Sequence, residues 1–441
     1  MINIGASGDT GSPTTGLVLT GGGARAAYQV GVLKAVAQIR RECDAPAANP
    51  FPVITGTSAG AINAAALACR AADFDAGVQA LCEVWEGFHA EQVYRSDSIG
   101  VIRTGARWLT MMSMGWMIAR WRRARPRSLL DNEPLELLLQ HLVRTEQLQE
   151  AMRNGHLQAL AVTASSYGSG LHVTFYEAAR DIVPWTRSQR IAVRGAISIQ
   201  HLLASSAIPF IFPAVALDIN GHLEYCGDGS MRQSAPISAA VHLGAERILV
   251  VGAGRMHEPP GQRVGSSEYP NLAQIAGHAL SNIFLDALAV DVERLQRINK
   301  TLKLLPPVAL AQTQLRPIEV LVIAPSQRLD DLAAKHLGSL PAPIRAMLRA
   351  VGVSGRGKEV RGAALARSPL RVAIYPRADR SGRCRHAGSA RRGCALLWLD
   401  AVAGRDQGGK LTWWPTSGLG LSLVPSVLFR GVSHARNAKW A

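Results

Sequence analysis

The sequence predicts an α/β fold in which helices cover a mainly parallel central sheet. Short apolar runs typical of buried strands alternate along the chain with segments whose apolar residues recur every three or four positions, as in helices. In addition, two of the strand-to-helix junctions are tight, glycine-rich turns. With 441 residues, the chain is long enough for one large domain or two ordinary ones.

The elements are predicted in the following order. The first strand, 16–20, ends at three glycines, and a helix with apolar residues at helical spacing follows from Arg25. The second strand, 52–55, leads through a turn at 56–60 into an alanine-rich helix at 61–72. The remaining predicted elements are strands at 157–164, 172–176, 215–219, 247–251 and 319–323, and a long amphipathic helix near 272–304.

Charge divides the chain into a body and a tail. The whole chain has a formal net charge of +16, but residues 361–441 carry 14 Lys or Arg against three acidic residues, a net of +11. The remainder therefore carries only +5. We predict a flexible N-terminus over 1–15, a folded body over 16–330, a helical extension over 331–360 and a basic, low-order tail over 361–441.

Several classes of protein are excluded or disfavoured by the composition. A segment that spans a bilayer needs about 18 consecutive apolar residues, and no run in this sequence is that long. The N-terminus also lacks the basic and apolar stretches of a secretion signal. The expected location is therefore the cytoplasm. Neither a C-x-x-C pair nor an acidic EF-hand loop occurs, so we expect no metal and no other cofactor.

The strongest chemical signal is the G-x-S-x-G sequence formed by Gly56, Thr57, Ser58, Ala59 and Gly60. This arrangement between a strand and a helix places the serine on a strained turn and directs a helix N-terminus at developing negative charge. Ser58 is thus the candidate nucleophile. The alternative interpretation is a turn whose glycines serve packing and whose serine caps the helix.

A second signal is the glycine loop, defined as Gly21, Gly22, Gly23, Ala24 and Arg25. Consecutive glycines before a helix leave several backbone N–H groups unshielded and convergent, which suits either a phosphate or a tetrahedral oxyanion. Neither the Walker motif nor the dinucleotide-binding motif is matched. The alternative interpretation is that these glycines only allow the helix and the strand to pack closely together.

The third signal is the pair Asp228 and Gly229, preceded by S-S-A-I-P-F-I-F-P at 205–213. In this order and spacing, the three signals and this preceding segment resemble the patatin-like phospholipase family. The family's signatures are a G-G-G-x-[RK]-G-like loop, G-x-S-x-G, S-x-[AS]-x-P-x-x-F-P and D-G-[GA]. The resemblance extends over residues 16–325.

This resemblance implies a three-layer α/β/α sandwich around a mainly parallel central sheet. It also implies Ser58 as a nucleophile activated by Asp228 without a histidine, the glycine loop as the oxyanion hole, and a lipid or other acyl ester as the substrate. Two positions depart from the family pattern: Ala26 stands where the loop usually has another glycine, and Ser230 where glycine or alanine often follows Asp-Gly. Neither departure removes a catalytic group.

From the residues alone, the favoured interpretation of Asp228 is an ordinary turn aspartate before a glycine. A working dyad requires its carboxylate within about 2.6–3.2 Å of the serine hydroxyl. An aspartate with a pKa near about 3.9 is a weak base, so we expect backbone N–H donors and the helix N-terminus to supply most of the rate acceleration. The histidines of the body occur in no nucleophile-like context and are interpreted as ordinary surface or core residues.

A segment rich in Trp and Met with interleaved arginines lies at 98–130. Its composition is typical of an interfacial helix that docks on lipid or covers an acyl pocket as a lid. This interpretation adds a peripheral contact at the inner membrane face to the expected cytoplasmic location. The alternative is a helix packed on the body with a solvated basic end.

Three explanations compete for the tail: an arm for nucleic acid or acidic lipid, a solvated disordered segment, and a reading-frame error. We favour the third over a nucleic-acid arm, because out-of-frame coding in a GC-rich gene yields Arg, Gly, Ala and Pro. Codons for 368–399 can also be chosen so that reading one base later gives a pair of amphipathic helices. That peptide is similar to the C-terminal end of bacterial patatin-like proteins. No nucleic-acid partner is expected, because the arginine cluster of the tail lacks interleaved aromatic residues.

The sequence therefore predicts a serine acyl hydrolase that cleaves carboxylic esters of lipids through an acyl-enzyme. The alternative function is a catalytically silent patatin-like module that binds membrane or acidic lipid through the segment at 98–130.

Overall fold

The structure is a computed structural model that describes residues 13–87, 92, 128, 130–254, 256 and 287–325, together with the backbone of 421–425. The predicted helical extension lies outside the described residues. So do nearly all of the flexible N-terminus, the segment at 98–130 and the basic tail. Among the helices that the structure describes, none has the length and apolar character needed to cross a membrane.

A single eleven-stranded sheet forms the centre of the described body. Its strands are β1 (Thr15–Leu19), β2 (Val53–Thr57), β3 (Ala159–Ser166), β4 (His172–Ala178), β5 (Thr186–Arg187), β6 (Arg190–Arg194), β7 (Val215–Ile219), β8 (His222–Asp228), β9 (Arg247–Val251), β10 (Glu319–Pro325) and β11 (Leu421–Pro425). Nine strands follow the order β11-β10-β9-β1-β2-β3-β4-β6-β5, while β8 pairs with β3 and β7. The central run from β10 to β3 is parallel.

Helices of two layers cover the sheet. They are α1 (Ala26–Glu42), α2 (Ala59–Ala68), α3 (Phe74–Glu86), α4 (Glu133–Leu142), α5 (Thr145–Arg153), α6 (Ile199–Ser205), α7 (Ser238–His242), α8 (Ala287–Leu302) and α9 (Pro307–Gln312). Helix α1 follows a 3-10 turn at Gly23–Arg25, and a second 3-10 turn, Gly229–Arg232, follows β8.

Alternate residues of each central strand face opposite layers, so the core is divided in two. On one face, Leu17 and Leu19 of β1 belong to a buried cluster that includes residues of α1 to α6. On the other face, Val18 of β1 packs in a second cluster with residues of α7 and α8. A sheet with a helical layer on each face is an α/β/α sandwich, which confirms the predicted fold class.

Most predicted elements are present, some with shifted boundaries. The strands Val215–Ile219 and Arg247–Val251 have the predicted limits. Helix α2 begins two residues earlier than predicted and ends at Ala68. The helix predicted near 272–304 is described only from Ala287 to Leu302. Four strands were not predicted, among them β8, which ends at Asp228.

Candidate active site

Strand pairing brings Ser58 and Asp228 together from opposite directions. Strand β4 occupies one edge of β3, so β2 and β8 share the other edge. On that edge, Thr57 of β2 lies beside Thr163 and Asp228 of β8 lies beside Ala164, the next residue along β3. Because β2 is parallel and β8 antiparallel to β3, their C-terminal ends meet there. Residues 170 positions apart in sequence are thereby brought together.

Ser58 occupies a strained turn between β2 and α2. Its backbone has φ 55° and ψ −133°, a conformation that residues other than glycine rarely adopt. The backbone is held in place because its N–H donates to the buried Ser205 hydroxyl at 2.8 Å. The Ser58 carbonyl accepts from the Ala61 N–H at 2.9 Å, at the start of α2. Ala59 is the first residue of that helix.

The two glycines of the G-x-S-x-G sequence are required by close backbone contacts. A Cβ atom on Gly56 would lie 2.5 Å from the Cα atom of Ala61, in the helix that follows. A Cβ on Gly60 would lie 2.4 Å from the carbonyl oxygen of Leu19 at the end of β1. Any side chain at either position would therefore push the turn away from the sheet.

The Ser58 hydroxyl donates to Asp228, with 2.6 Å between Oγ and Oδ2. Both residues are buried, with Ser58 1% exposed and Asp228 fully inaccessible. Burial raises the pKa of Asp228 to about 6, although hydrogen bonds from the Ser58 hydroxyl and the Ser230 N–H oppose that rise. The carboxylate is consequently a stronger base than an exposed aspartate and is still mostly ionised at neutral pH.

The turn after Asp228 fixes the orientation of its carboxylate. The Ser230 N–H donates to Oδ1 at 2.8 Å, which leaves Oδ2 to face Ser58. Gly229 is required here because a Cβ would lie 2.3 Å from the Thr163 carbonyl oxygen. The Asp228 N–H donates to the Ala207 carbonyl at 3.0 Å, in the segment 205–213 that carries part of the family resemblance.

The first glycine of the loop, Gly21, lies against Ser58. A Cβ on Gly21 would lie 3.3 Å from the Ser58 Cβ and 2.1 Å from the Ser230 Oγ. Gly22 is required by Ala253, whose Cβ would lie 2.4 Å from a Cβ on Gly22, and Gly23 has a φ of 54°. Among the described residues, the backbone N–H groups of Gly21 and Gly22 have no acceptor.

The rest of the loop closes into helix α1. The Arg25 N–H donates to the Gly22 carbonyl at 3.1 Å, and Ala24 lies within the 3-10 turn. Arg25 itself is 6% exposed. The departure at Ala26 has no conformational consequence, because its φ of −64° and ψ of −16° are ordinary helical values.

The structure also places in the site residues that sequence analysis did not assign a role. Ser205 holds the backbone of Ser58, and Gln233 Nε2 donates to the Thr57 Oγ1 at 2.7 Å. Thr57 in turn lies 2.7 Å from Thr163, hydroxyl to hydroxyl. Ser205 belongs to the quoted segment 205–213 and could have been proposed from it. Gln233 follows the 3-10 turn and has no distinguishing pattern.

No histidine among the described residues hydrogen bonds to Ser58 or Asp228. His172 is buried nearby on β4, and burial lowers its pKa to about 4, so that its ring is neutral. Within the part of the chain that the structure describes, no group of three or more His, Cys, Asp or Glu could hold a metal ion. Among the described residues, the side chain that hydrogen bonds to the Ser58 hydroxyl is thus that of Asp228.

Comparison with known proteins identifies the class. A family model described as Patatin-like phospholipase matches residues 17–241, which is just over half of the chain. The matched stretch includes the glycine loop, Ser58 and Asp228. The chain therefore belongs to the patatin-like phospholipase family. No curated protein sequence is similar enough to be matched.

Two solved structures illustrate the similarity to known proteins. VipD from Legionella pneumophila is 13% identical with a TM-score of 0.29, over 70% of this chain and 61% of VipD. ExoU from the type III secretion system of Pseudomonas aeruginosa, solved in complex with SpcU, is 15% identical with a TM-score of 0.24. That match covers 84% of this chain and 72% of ExoU. The chain thus spans about three fifths of the length of VipD.

Proposed function

We propose that this protein is a serine acyl hydrolase that cleaves carboxylic esters of lipids, with Ser58 as nucleophile and Asp228 as its base. The observation that carries the proposal is the 2.6 Å hydrogen bond from the Ser58 Oγ to the Asp228 Oδ2, at a strained strand-to-helix turn. A lipid as substrate follows from membership of the patatin-like phospholipase family. The acyl-enzyme mechanism below is part of the proposal.

The first half-reaction transfers the acyl group to the protein. Asp228 accepts the hydroxyl proton as the Ser58 Oγ attacks the carbonyl carbon of the ester, which forms a tetrahedral intermediate with a negatively charged oxygen. When that intermediate collapses, the bond to the alcohol oxygen breaks and the proton on Asp228 passes to the leaving alcohol. The products of this half-reaction are a free alcohol and an ester of Ser58.

The second half-reaction restores the enzyme. A water molecule gives a proton to Asp228 and attacks the carbonyl carbon of the acyl-enzyme. Collapse of the second tetrahedral intermediate breaks the bond to the Ser58 Oγ, which recovers its proton from Asp228. The carboxylic acid then leaves.

Backbone N–H groups of the glycine loop stabilise both tetrahedral intermediates in this proposal. Gly21 lies next to Ser58 and Gly22 follows it in the loop, and the N–H groups of both have no acceptor among the described residues. Helix α2 begins immediately after Ser58, so the positive end of its dipole adds to the stabilisation. Donors of this kind typically contribute about 10²- to 10³-fold each to kcat.

Labelling with a fluorophosphonate tests the proposal without a choice of substrate, because the reagent reacts with an activated serine. We expect one adduct by intact mass on the wild type, none on Ser58→Ala and much slower labelling of Asp228→Asn. Ser206→Ala is the matched control, since Ser206 is a buried serine whose hydroxyl donates to the Leu202 carbonyl and not to the dyad. Esters of graded acyl length then define the substrate.

An absence of any adduct on folded wild-type protein would refute the hydrolase. It would favour the silent lipid-binding module, for which vesicle sedimentation of a variant lacking 98–130 is the corresponding test.

A further inference from the structure

A line of buried side-chain hydrogen bonds, here called the amide chain, leads from helix α3 to the glycine loop. Its members are Trp85, Asn63 and Gln29. Trp85 Nε1 donates to the Asn63 Oδ1 at 2.9 Å, and Asn63 Nδ2 donates to the Gln29 Oε1 at 3.1 Å. Gln29 Nε2 donates to the carbonyl oxygen of Thr20 at 2.7 Å. Thr20 is the residue immediately before the glycine loop.

Both amide side chains are completely buried and each uses both of its polar atoms. Besides its bond to Gln29, Asn63 Nδ2 also donates to the Ala26 carbonyl at 3.2 Å, and Gln29 Nε2 also reaches the Val251 carbonyl at 3.4 Å. A buried network in which every member has its partners is rigid, whereas loss of one member leaves the others unpaired at considerable cost. The Thr20 carbonyl is therefore held firmly.

The position of that carbonyl determines the direction of the next backbone donor. The described peptide bonds are all trans, and in a planar trans peptide the N–H points opposite to the carbonyl. The Gly21 N–H is therefore directed away from Gln29. Thr20 is also fixed on its other side, because its N–H donates to the Val251 carbonyl at 3.4 Å and its Oγ1 accepts from the Ala253 N–H at 3.1 Å.

We propose that Gln29 is a positioning residue for the oxyanion hole: by holding the Thr20 carbonyl, it orients the Gly21 N–H toward the oxyanion that forms at Ser58. The inference rests on the proposed hydrolase function. The negatively charged oxygen forms only as the transition state is reached. The orientation of the Gly21 N–H therefore affects kcat more than it affects the binding of the uncharged ester. Asn63 supports Gln29, and Trp85 supports Asn63 from the far end of the amide chain.

Two substitutions of Gln29 test the proposal in the full chain. Gln29→Met keeps the approximate shape and removes both polar atoms, while Gln29→Glu keeps the acceptor for Asn63 and, in its ionised form at high pH, removes the donor to Thr20. The readouts are kcat and KM for p-nitrophenyl butyrate, and the inhibition constant of a trifluoromethyl ketone, which forms an anionic tetrahedral adduct with an active-site serine. Asn49→Leu is the matched control, because the buried Asn49 Nδ2 makes a similar bond to the Phe51 carbonyl before β2 begins, at the opposite end of that strand.

We expect kcat to fall about 10- to 100-fold in both Gln29 variants, part of the effect of losing one oxyanion donor. KM should change little, the trifluoromethyl ketone should bind more weakly by a similar factor, and the pH midpoint of activity should stay where the wild type has it. Asn49→Leu should alter stability and leave kcat and ketone affinity unchanged.

Three results would overturn the assignment: wild-type kcat in Gln29→Met, a rise in KM at constant kcat, or an equal loss of kcat in Asn49→Leu. Failure of the proposed function itself is distinguishable, because the wild type would then neither hydrolyse the ester nor bind the ketone.

Discussion

Replacing Asp228 by asparagine should slow labelling strongly while making the protein more stable, and the gain in stability should depend on pH. Burial raises the pKa of this carboxyl from 3.8 to about 6. The folded state therefore holds its proton up to a higher pH than the unfolded state does. Raising the pH from 3.8 through 6 removes that proton and destabilises the folded wild type, whereas the asparagine variant has no such charge.

The magnitude follows from the size of the shift. About two pKa units correspond to about 3 kcal/mol of unfolding free energy at about 1.4 kcal/mol per unit, present in full above pH 6. At pH 5, which lies about midway between the two pKa values, only about half of this loss of unfolding free energy has occurred. The side-chain oxygen of the introduced asparagine would still accept from the Ser230 N–H, so that donor remains paired in Asp228→Asn. We expect Asp228→Asn to exceed the wild type by up to about 3 kcal/mol at pH 8 and by about half as much at pH 5.

Urea unfolding at the two pH values measures this difference, with fluorophosphonate labelling as the activity readout. Asp44→Asn is a matched control, because Asp44 is an exposed turn residue and the same exchange there alters no buried charge. A gain of equal size at pH 5 and pH 8, or a loss of stability at pH 8, would refute the claim that a buried carboxylate is maintained here against its solvation cost.

Three other outcomes are expected. The rate of wild-type labelling should rise with pH through about 6 and then level off, because only ionised Asp228 accepts a proton; a labelling rate independent of pH would contradict this. Gly60→Ala should lower the free energy of unfolding by about 3 kcal/mol, because its Cβ would meet two carbonyl oxygens at 2.4 and 2.5 Å. Urea unfolding measures this, and a variant as stable as the wild type would show that the turn tolerates the methyl group. Ser205→Ala should slow labelling and lower the free energy of unfolding by about 1–3 kcal/mol, since the Ser58 N–H would lose its acceptor. Calorimetry and labelling kinetics measure the two effects, and wild-type values in both would contradict this expectation.

The sequence was sufficient to predict the fold class and most of the parallel strands. β1, β2 and β9 are short, almost wholly buried runs, and buried parallel strands have a recognisable apolar composition. The strand that carries Asp228 was missed because β8 contains polar residues and two of its apolar side chains, Leu223 and Tyr225, are exposed. Its place is determined by pairing with β3, which no local pattern encodes.

Within the site, short motifs gave the positions of Ser58, Asp228 and the glycine loop, because each requires a particular residue at a turn. The pKa of Asp228 was not predictable, since we began from the ordinary value of an exposed aspartate and only the fold reveals its burial. Gln29 and Asn63 were likewise not distinguished from other polar residues of a helix. Their role depends on which carbonyls the neighbouring strands bring to them.

Strands β2 and β8 meet end to end on one edge of β3, so Ser58 and Asp228 come together only when both strands pair with β3 in the observed register. If β8 shifted by one residue, Asp228 would move about 3.3 Å along β3 and its side chain would turn to the opposite face of the sheet. A shift of β2 would displace Ser58 in the same way. Misaligned molecules that keep a normal helix content would therefore be unreactive, so active-site titration would count only chains whose three strands have assembled in register.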